Sequence, residues 1–309
     1  MPLTYPPPAP TVSGDSITIH TLLQSPTLIQ RRMRTLAEQR FISDALLTGR
    51  YTSSGGAVKY EIDDELTPPR DPEAIQPGGE YPLSPVGTGD PQLAEVVKWG
   101  QDVPITDESI KRSSMDVVNR AFLKVIAGIV KKVDTVSLAA IASRVSQNTA
   151  AAAHWDGTAT AEQIFLDVGL AAANMQNLGL GLNPDIVAVD PIRWVYAMTA
   201  FVKAGYVPRE TAASNPALTG EFPTIGGRRW VSSPYVPDTA VAWVIDSTSL
   251  GGMADEQLGG PGYTGAMAGV ESKSIRDDDN DRYKLRGRRV TVPVVIEARA
   301  GWKITGLHA

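Results

Sequence analysis

Residues 106–133 read TDESIKRSSMDVVNRAFLKVIAGIVKKV. Ile110, Val117, Val118, Ala121, Phe122, Val125, Ile126, Ile129, Val130 and Val133 recur at helical spacing. Thr106 fits the N-cap, with Asp107 and Glu108 in the first turn. Lys131 and Lys132 fall at the other end, so each sign of charge sits where the helix dipole favours it. Lys111, Arg112, Asp116, Arg120 and Lys124 cover the rest of the surface. At about 1.5 Å per residue this predicts a strut of roughly 40 Å. The stretch before it, 51–105, is its opposite. Val58, Tyr60 and Ile62 alternate with Lys59, Glu61 and Asp63, which predicts a strand with one apolar face. Residues 64–92 then hold Pro68, Pro69, Pro72, Pro77, Pro82, Pro85 and Pro91, a density no regular element survives. Leu93 to Ile105 reads as the return strand. The result is a long two-stranded arm with an irregular tip. Such an arm is marginal alone in water, so it is expected to lie on a neighbouring molecule, which points to assembly rather than catalysis.

On the N-terminal side, residues 1–24 read as an extended arm, with Pro6, Pro7 and Pro8 favouring polyproline II. Ser25 and Pro26 start a helical pattern that runs to about Leu47, with Arg31, Arg32, Arg34 and Arg40 on its polar side and Gly49 as its stop. Beyond the strut the character changes at Asp134. A separate helix is predicted over Val136 to Arg144, then a small-residue loop over Thr149 to Thr158. A second amphipathic helix, Thr160 to Leu178, turns Ile164, Phe165, Val168, Leu170 and Ala171 inward. A buried strand over Pro184 to Asp190, a helix from Pro191 through Phe201, and strands at Arg229 to Ser232 and Val241 to Ile245 follow. Residues 251–269 read as a mobile Gly-rich loop. Val270 to Ile275, Arg282 to Arg286 and Arg288 to Glu297 read as three antiparallel strands, with Pro293 marking an edge position. Trp302 to Thr305 forms a last short strand. The class is α+β.

Several chemistries have little to build on. The chain has no cysteine, which excludes disulfides and thiolate metal sites, and its net charge of −5 argues against a generally nucleic-acid-binding surface. No apolar run reaches the length of a membrane span, and Met1 to Pro10 lacks the regions of a signal peptide, so synthesis in the cytoplasm is expected. His20, His154 and His308 are the only histidines, and no triad, P-loop or dinucleotide fingerprint accompanies them. Asp277, Asp278, Asp279, Asn280 and Asp281 look like calcium ligands. However, Arg282 and Arg288 stand where an EF-hand needs Gly and Glu, so an acidic turn is the better fit. Arg282, Lys284, Arg286, Arg288 and Arg289 form either a solvated basic face or one side of inter-subunit ion pairs. Arg31, Arg32 and Arg34 either touch a phosphate backbone or line a solvated helix face. No catalytic, cofactor or metal residue is assigned.

This order of parts resembles the major capsid protein of tailed bacteriophages, the Hong Kong 97-like fold. The local runs that carry it are Asp281-Arg282-Tyr283-Lys284-Leu285-Arg286, Val294-Val295-Ile296-Glu297 and Ala300-Gly301-Trp302-Lys303-Ile304-Thr305-Gly306. The resemblance implies an N-arm over 1–50, an E-loop over 51–105, a spine helix of the peripheral domain over 106–133, an axial domain over 134–268 and a peripheral sheet over 269–309. It implies pentamers and hexamers that tile an icosahedral head around double-stranded DNA in the virion, assembled in the bacterial cytoplasm. Candidate inter-subunit contacts are Arg31, Arg32, Arg34, Lys59, Tyr60, Glu61, Trp99, Arg282, Lys284, Arg286, Arg288 and Arg289. Only about fifty residues precede the arm, so a separate scaffolding protein is expected, beside a portal and decoration proteins. Lys59, Lys98 and Asn280 are residue types that some members crosslink, but no motif marks them and no crosslink is expected. Two other readings stand beside this one. The first is an encapsulin shell around an enzyme cargo, and the second an enzyme with its site in residues 150–260.

Overall fold

A computed structural model describes Leu23, Ile29 and residues 41–62, 72–83, 89–205, 224–267 and 269–308. Its central element is helix α2, Asp107–Arg144, which follows the short helix α1, Ser43–Leu46. The Thr106 side chain accepts the Ser109 N–H at 3.3 Å, as the N-cap pattern predicts. The helix does not stop near Val133. It runs on for 38 residues, about 57 Å, and the separate helix expected over Val136 to Arg144 is its continuation. Asp134, the polar residue that looked like a boundary, is fully buried. Its carboxylate accepts the Ser43 N–H at 3.0 Å and the Ile42 N–H at 3.4 Å. It caps the start of α1 rather than ending α2.

Burial pushes the Asp134 pKa up, against the hydrogen bonds that pull it down. The folded state therefore holds the proton more tightly than the unfolded chain does. The stability this contributes is fully present below the unfolded pKa and is lost as pH rises through the folded one. Asp134→Asn removes the charge, so its stability should rise relative to wild type as pH is raised above the ordinary carboxylate value of about 4. Urea midpoints above that value provide the check, and a flat difference would sink the assignment. Asp134→Leu, which leaves two N–H groups unpaired, should cost about 1–3 kcal/mol.

The main sheet, among the described residues, has the order β1-β10-β13-β12-β11, with β4 beside β13. These strands are β1 Gly49–Ser53, β4 Val97–Thr106, β10 Gly251–Glu256, β11 Thr264–Met267, β12 Val270–Asp277 and β13 Arg282–Val295. α2 lies on this sheet. Val118, Phe122, Val125, Ile126, Ile129 and Val133 share one core with Ile105, Tyr283 and Leu285. Two predicted strands are a single one, because Gly287 stays in register with Ser272 on one side and Gln101 on the other. Pro293 pairs only with Met253 of β10, beyond the point where β4 ends at Thr291↔Val97. It thus occupies a local edge inside an interior strand.

The Gly-rich stretch expected to be a mobile loop instead contains β10, whose first four residues are buried. Its glycines allow a close approach. Gly252 faces Gly49 across the parallel pair β1–β10, and a Cβ there would lie 2.3 Å from the Gly49 carbonyl oxygen.

A second sheet has the order β5-β14-β9-β6-β8-β7. It comprises β5 Asn148–Ala150, β6 Ile186–Val189, β7 Thr224–Ile225, β8 Arg228–Ser232, β9 Ala242–Ile245 and β14 Gly301–Thr305. Asn148 and, from the stretch expected to be a loop, Thr149 and Ala150 pair with β14 in parallel. Helices α3, Ala161–Gln176, and α4, Pro191–Ala204, pack against this sheet. α3 opens with a capping box: Thr160 Oγ1 accepts from Gln163 N at 3.3 Å, and Gln163 Oε1 accepts from Thr160 N at 2.9 Å. Asp190 and Pro191 start α4, and Gly205 ends it in the left-handed conformation at φ 80°. Trp155, Phe201 and Trp230 fill the core beneath, with Phe201 edge-on to Trp230 at 5.5 Å.

Candidate assembly surfaces

The arm is shorter than its sequence implied. β2, Ala57–Ile62, pairs antiparallel with β3, Asp90–Glu95, and with no other strand among the described residues. At Val96, whose N–H donates to Gly56 O at 2.9 Å, the chain leaves the ribbon. The rest of the expected return strand is β4, a member of the main sheet. Val58, Tyr60 and Ile62 share one ribbon face with Ala94, Gln92 and Asp90, as the alternation predicts. Lys59, Glu61 and Leu93 lie on the other face, and all three are exposed. Beyond the ribbon, the described tip residues 72–83 are nearly all exposed, with Tyr81 at 78% and Leu83 at 86%.

The remaining contact candidates divide into three groups. Arg31, Arg32 and Arg34 lie outside the described residues. Tyr60 is half-buried, its hydroxyl 3.5 Å from an Arg144 nitrogen, and Trp99 sits 5.0 Å beneath the Lys132 ammonium. The basic residues of β13 each meet an acid of their own chain. Arg282 and Lys284 both hold Asp277, Arg286 holds Asp102, Arg288 holds Glu271, and Arg289 holds Asp44 and Asp255. The Arg286 pair is bidentate at 2.7 Å and pulls the Asp102 carboxyl below its usual range, chiefly through the hydrogen bond itself. Arg289 is 1% exposed and lies over Phe41 at 4.6 Å. The acidic run forms the expected turn between β12 and β13, with Asp281 left-handed at φ 42°. Hydrogen bonds from Lys284, Arg282 and Asn280 hold the Asp277 carboxyl far below the carboxylate range, so it is already engaged with cations of this chain.

Sequence reasoning missed a further surface. Phe165 and Leu170 do not face inward; they are 47% and 44% exposed, beside Leu166. On α4, Ile192, Val195 and Tyr196 are likewise exposed, while Ala197, Met198 and Phe201 fill the core. A helix apolar on two faces is the signal that could have found this patch, because one packed sheet needs only one of them. Between the start of α3 and the flank of α4 lies an open groove of about 560 Å³, lined by Thr158, Glu162, Tyr196, Thr199 and Lys203 among others. It falls inside 150–260, the region considered for an enzyme. Its lining brings together no nucleophile with a base and an orienting partner. His154 instead faces the Gly306 carbonyl at 2.9 Å. Among the described residues no His, Cys, Asp and Glu group could hold a metal ion, and no helix is long and apolar enough to cross a membrane.

Comparison with known proteins agrees with this architecture. Residues 89–304 match the family model described as phage capsid protein. No curated protein matches the chain. Among solved structures, the capsid of the cyanophage P-SCSP1u superposes with a TM-score of 0.59 at 14% identity, over 84% of this chain and 86% of that one. The virus-like particle from Pyrococcus furiosus superposes at 0.57 with 11% identity, over 89% and 97%. The SrpI encapsulin from Synechococcus elongatus superposes at 0.52 with 13% identity, over 89% and 87%. With a helix strut on one sheet, a two-stranded ribbon in front of it and a second sheet with two helices beyond, the chain has the α+β Hong Kong 97-like fold and belongs to the phage capsid protein family of structural shell proteins.

Proposed function

We propose that this chain is the major capsid protein of a tailed bacteriophage, forming hexamers and pentamers that close into an icosahedral head around double-stranded DNA. The observation that carries this reading is the ribbon β2–β3. It has no further strand partner among the described residues, one face of it is open, and it leads to a tip that presents Tyr81 and Leu83 to solvent. An isolated two-stranded ribbon is marginal in water, and a neighbouring copy supplies the missing face. On this reading the ribbon is the E-loop, α2 is the spine of the peripheral domain, and the second sheet with α3 and α4 is the axial domain. The exposed apolar residues of α3 and α4 then meet adjacent copies. A separate scaffolding protein, a portal and decoration proteins are the further partners, with assembly in the host cytoplasm.

The test is electron microscopy of the expressed protein after size-exclusion chromatography. Closed particles of uniform diameter are expected, and a strictly monomeric species would overturn the proposal. The likeness to an encapsulin favours a second reading, a shell around an enzyme cargo. Neighbouring genes separate the two: portal and terminase genes for a phage head, a peroxidase or ferritin-like gene for an encapsulin.

A further inference from the structure

Among the described residues the chain passes between the two sheets at 145–147 after α2, at 246–250 between β9 and β10, and at 296–300 between β13 and β14. Links of this kind ordinarily permit relative motion of the parts they join. Here they are tied to one another. The Asp246 N–H donates to the Ala300 carbonyl and the Ile296 N–H to the Leu250 carbonyl, both at 2.9 Å, and the Lys303 N–H reaches Gln147 O at 3.0 Å. Ile186, Ala188, Trp243 and Ile245 of the second sheet share one core with Leu138, Ile141 and Val145 from the far end of α2 and its cap. Leu250, Met253 and Val295 belong to the same core.

The middle link begins Asp246-Ser247-Thr248-Ser249. The Asp246 carboxylate accepts from Thr248 N–H at 3.0 Å and Oγ1 at 2.7 Å, from Ser249 N–H at 3.2 Å and Oγ at 3.1 Å, and from Asn183 N–H at 2.8 Å. Asp185, which leads into β6, accepts from Ser247 N–H at 2.8 Å and Oγ at 2.7 Å. Each carboxylate therefore holds the backbone that carries the other. The Ser247 carbonyl in turn accepts from Thr48, just before β1, with the N–H at 3.4 Å and Oγ1 at 2.6 Å. The turn that leaves the second sheet is thus held by two carboxylates and by the entry to the main sheet. An Asp-initiated turn needs only its own first residue, so the reciprocal exchange with 183–185 has no local purpose. Burial pushes the Asp246 carboxyl up, and these hydrogen bonds outweigh it, so its pKa lies below the usual range.

We infer that the reciprocal Asp185–Asp246 knot fixes the angle between the two sheets, and that this angle sets the curvature, and so the diameter, of the shell. The inference rests on the capsid reading. The surfaces assigned there to neighbouring copies sit on different sheets. The ribbon extends from the main sheet, while the exposed Phe165, Leu166, Ile192 and Val195 lie on the helices packed against the second. The angle between the sheets is then the angle between a subunit's two sets of contacts, and a closed shell repeats it in every copy. Both acids are positioning residues, acting through the backbone they hold.

The test uses the full chain, as closed particles and as unassembled subunits. Asp246→Asn and Asp185→Asn each turn one acceptor oxygen into an amide N–H donor facing N–H and hydroxyl groups. Each should cost the particles their single diameter, giving a broadened or shifted distribution by electron microscopy. Val187→Ala opens a cavity in the second sheet, on the opposite face from Ile186 and Ala188. It should lower the thermal midpoint and keep the wild-type diameter. The chain has no cysteine, so Thr52→Cys on β1 and Ala150→Cys on β5, both exposed positions, place one spin label on each sheet. The inter-label distance of the unassembled subunit should be narrowly distributed, and should broaden when either Asn substitution is added. Should the Asn variants not fold, Ser247→Ala and Ser249→Ala take their place in both measurements, since each removes one hydroxyl donor and leaves both carboxylates. Folded variants of the knot with the wild-type diameter overturn the inference. An unchanged label distribution, or an equal change of diameter in Val187→Ala, also overturns it. Absence of particles from the wild type counts against the capsid reading instead, and the label distances still decide whether the knot fixes the angle.

Discussion

Replacing Arg289 by methionine is expected to lower stability by about 3–5 kcal/mol, the range for removing one partner from a buried ionic group. Its guanidinium donates to Asp44 at 2.9 and 3.1 Å and to Asp255 at 3.2 and 3.3 Å. Asp44 belongs to α1 and Asp255 to β10, so one side chain ties the N-terminal segment to the main sheet from β13. Arg50 also pairs with Asp44, at 2.9 Å, which makes the cluster two cations against two acids. Without Arg289, two carboxylates face each other with one exposed cation nearby. Chemical denaturation of the unassembled protein reads the loss. Adding Asp44→Asn and Asp255→Asn to the Arg289→Met variant should recover part of it, because the repulsion goes with the charges. A loss below about 1 kcal/mol would mean the cluster is worth no more than a surface pair.

Deleting residues 64–92 is expected to abolish closed shells while leaving the subunit folded. Both cores lie outside this stretch: α2 packs on the main sheet, and Trp155, Phe201 and Trp230 fill the second. The deletion should therefore move the thermal midpoint little, and size-exclusion chromatography should give soluble capsomers or aggregates. Intact shells seen by electron microscopy would show that the ribbon tip is dispensable. That would remove the main support for an E-loop that reaches a neighbour. Tyr81 is the residue on which the effect should concentrate, since tyrosine is among the few side-chain types that carry most of the binding energy at such surfaces.

What was legible in the sequence had a local cause. Thr106 and the apolar row from Ile110 to Val133 specify a helix without reference to anything distant, and Val58, Tyr60 and Ile62 specify a strand face in the same way. What was misread depends on partners far along the chain. Asp134 looked like a break because the groups it caps, the N–H of Ile42 and Ser43, stand 92 and 91 residues away. Gly252 looked like a loop residue because β1, which needs its missing side chain, lies some two hundred positions earlier. Phe165 and Leu170 were assigned to the core because periodicity finds an apolar stripe but not what covers it. The basic run of β13 was legible as a cluster, but its partners were not, since Asp102 is 184 residues from Arg286.

The unbroken course of α2 has a mechanical consequence. Its N-terminal turn is fastened to β12 by Arg276, whose guanidinium grips Asp107 at 2.7 and 2.8 Å. Its far end delivers Val145 against Gly301 at the start of β14, in the other sheet. A rod of about 57 Å tilted by about 10° about one end moves the other by about 10 Å. Small rotations where subunits meet at one end would thus arrive at the other as large displacements, making the strut a lever arm as well as a brace.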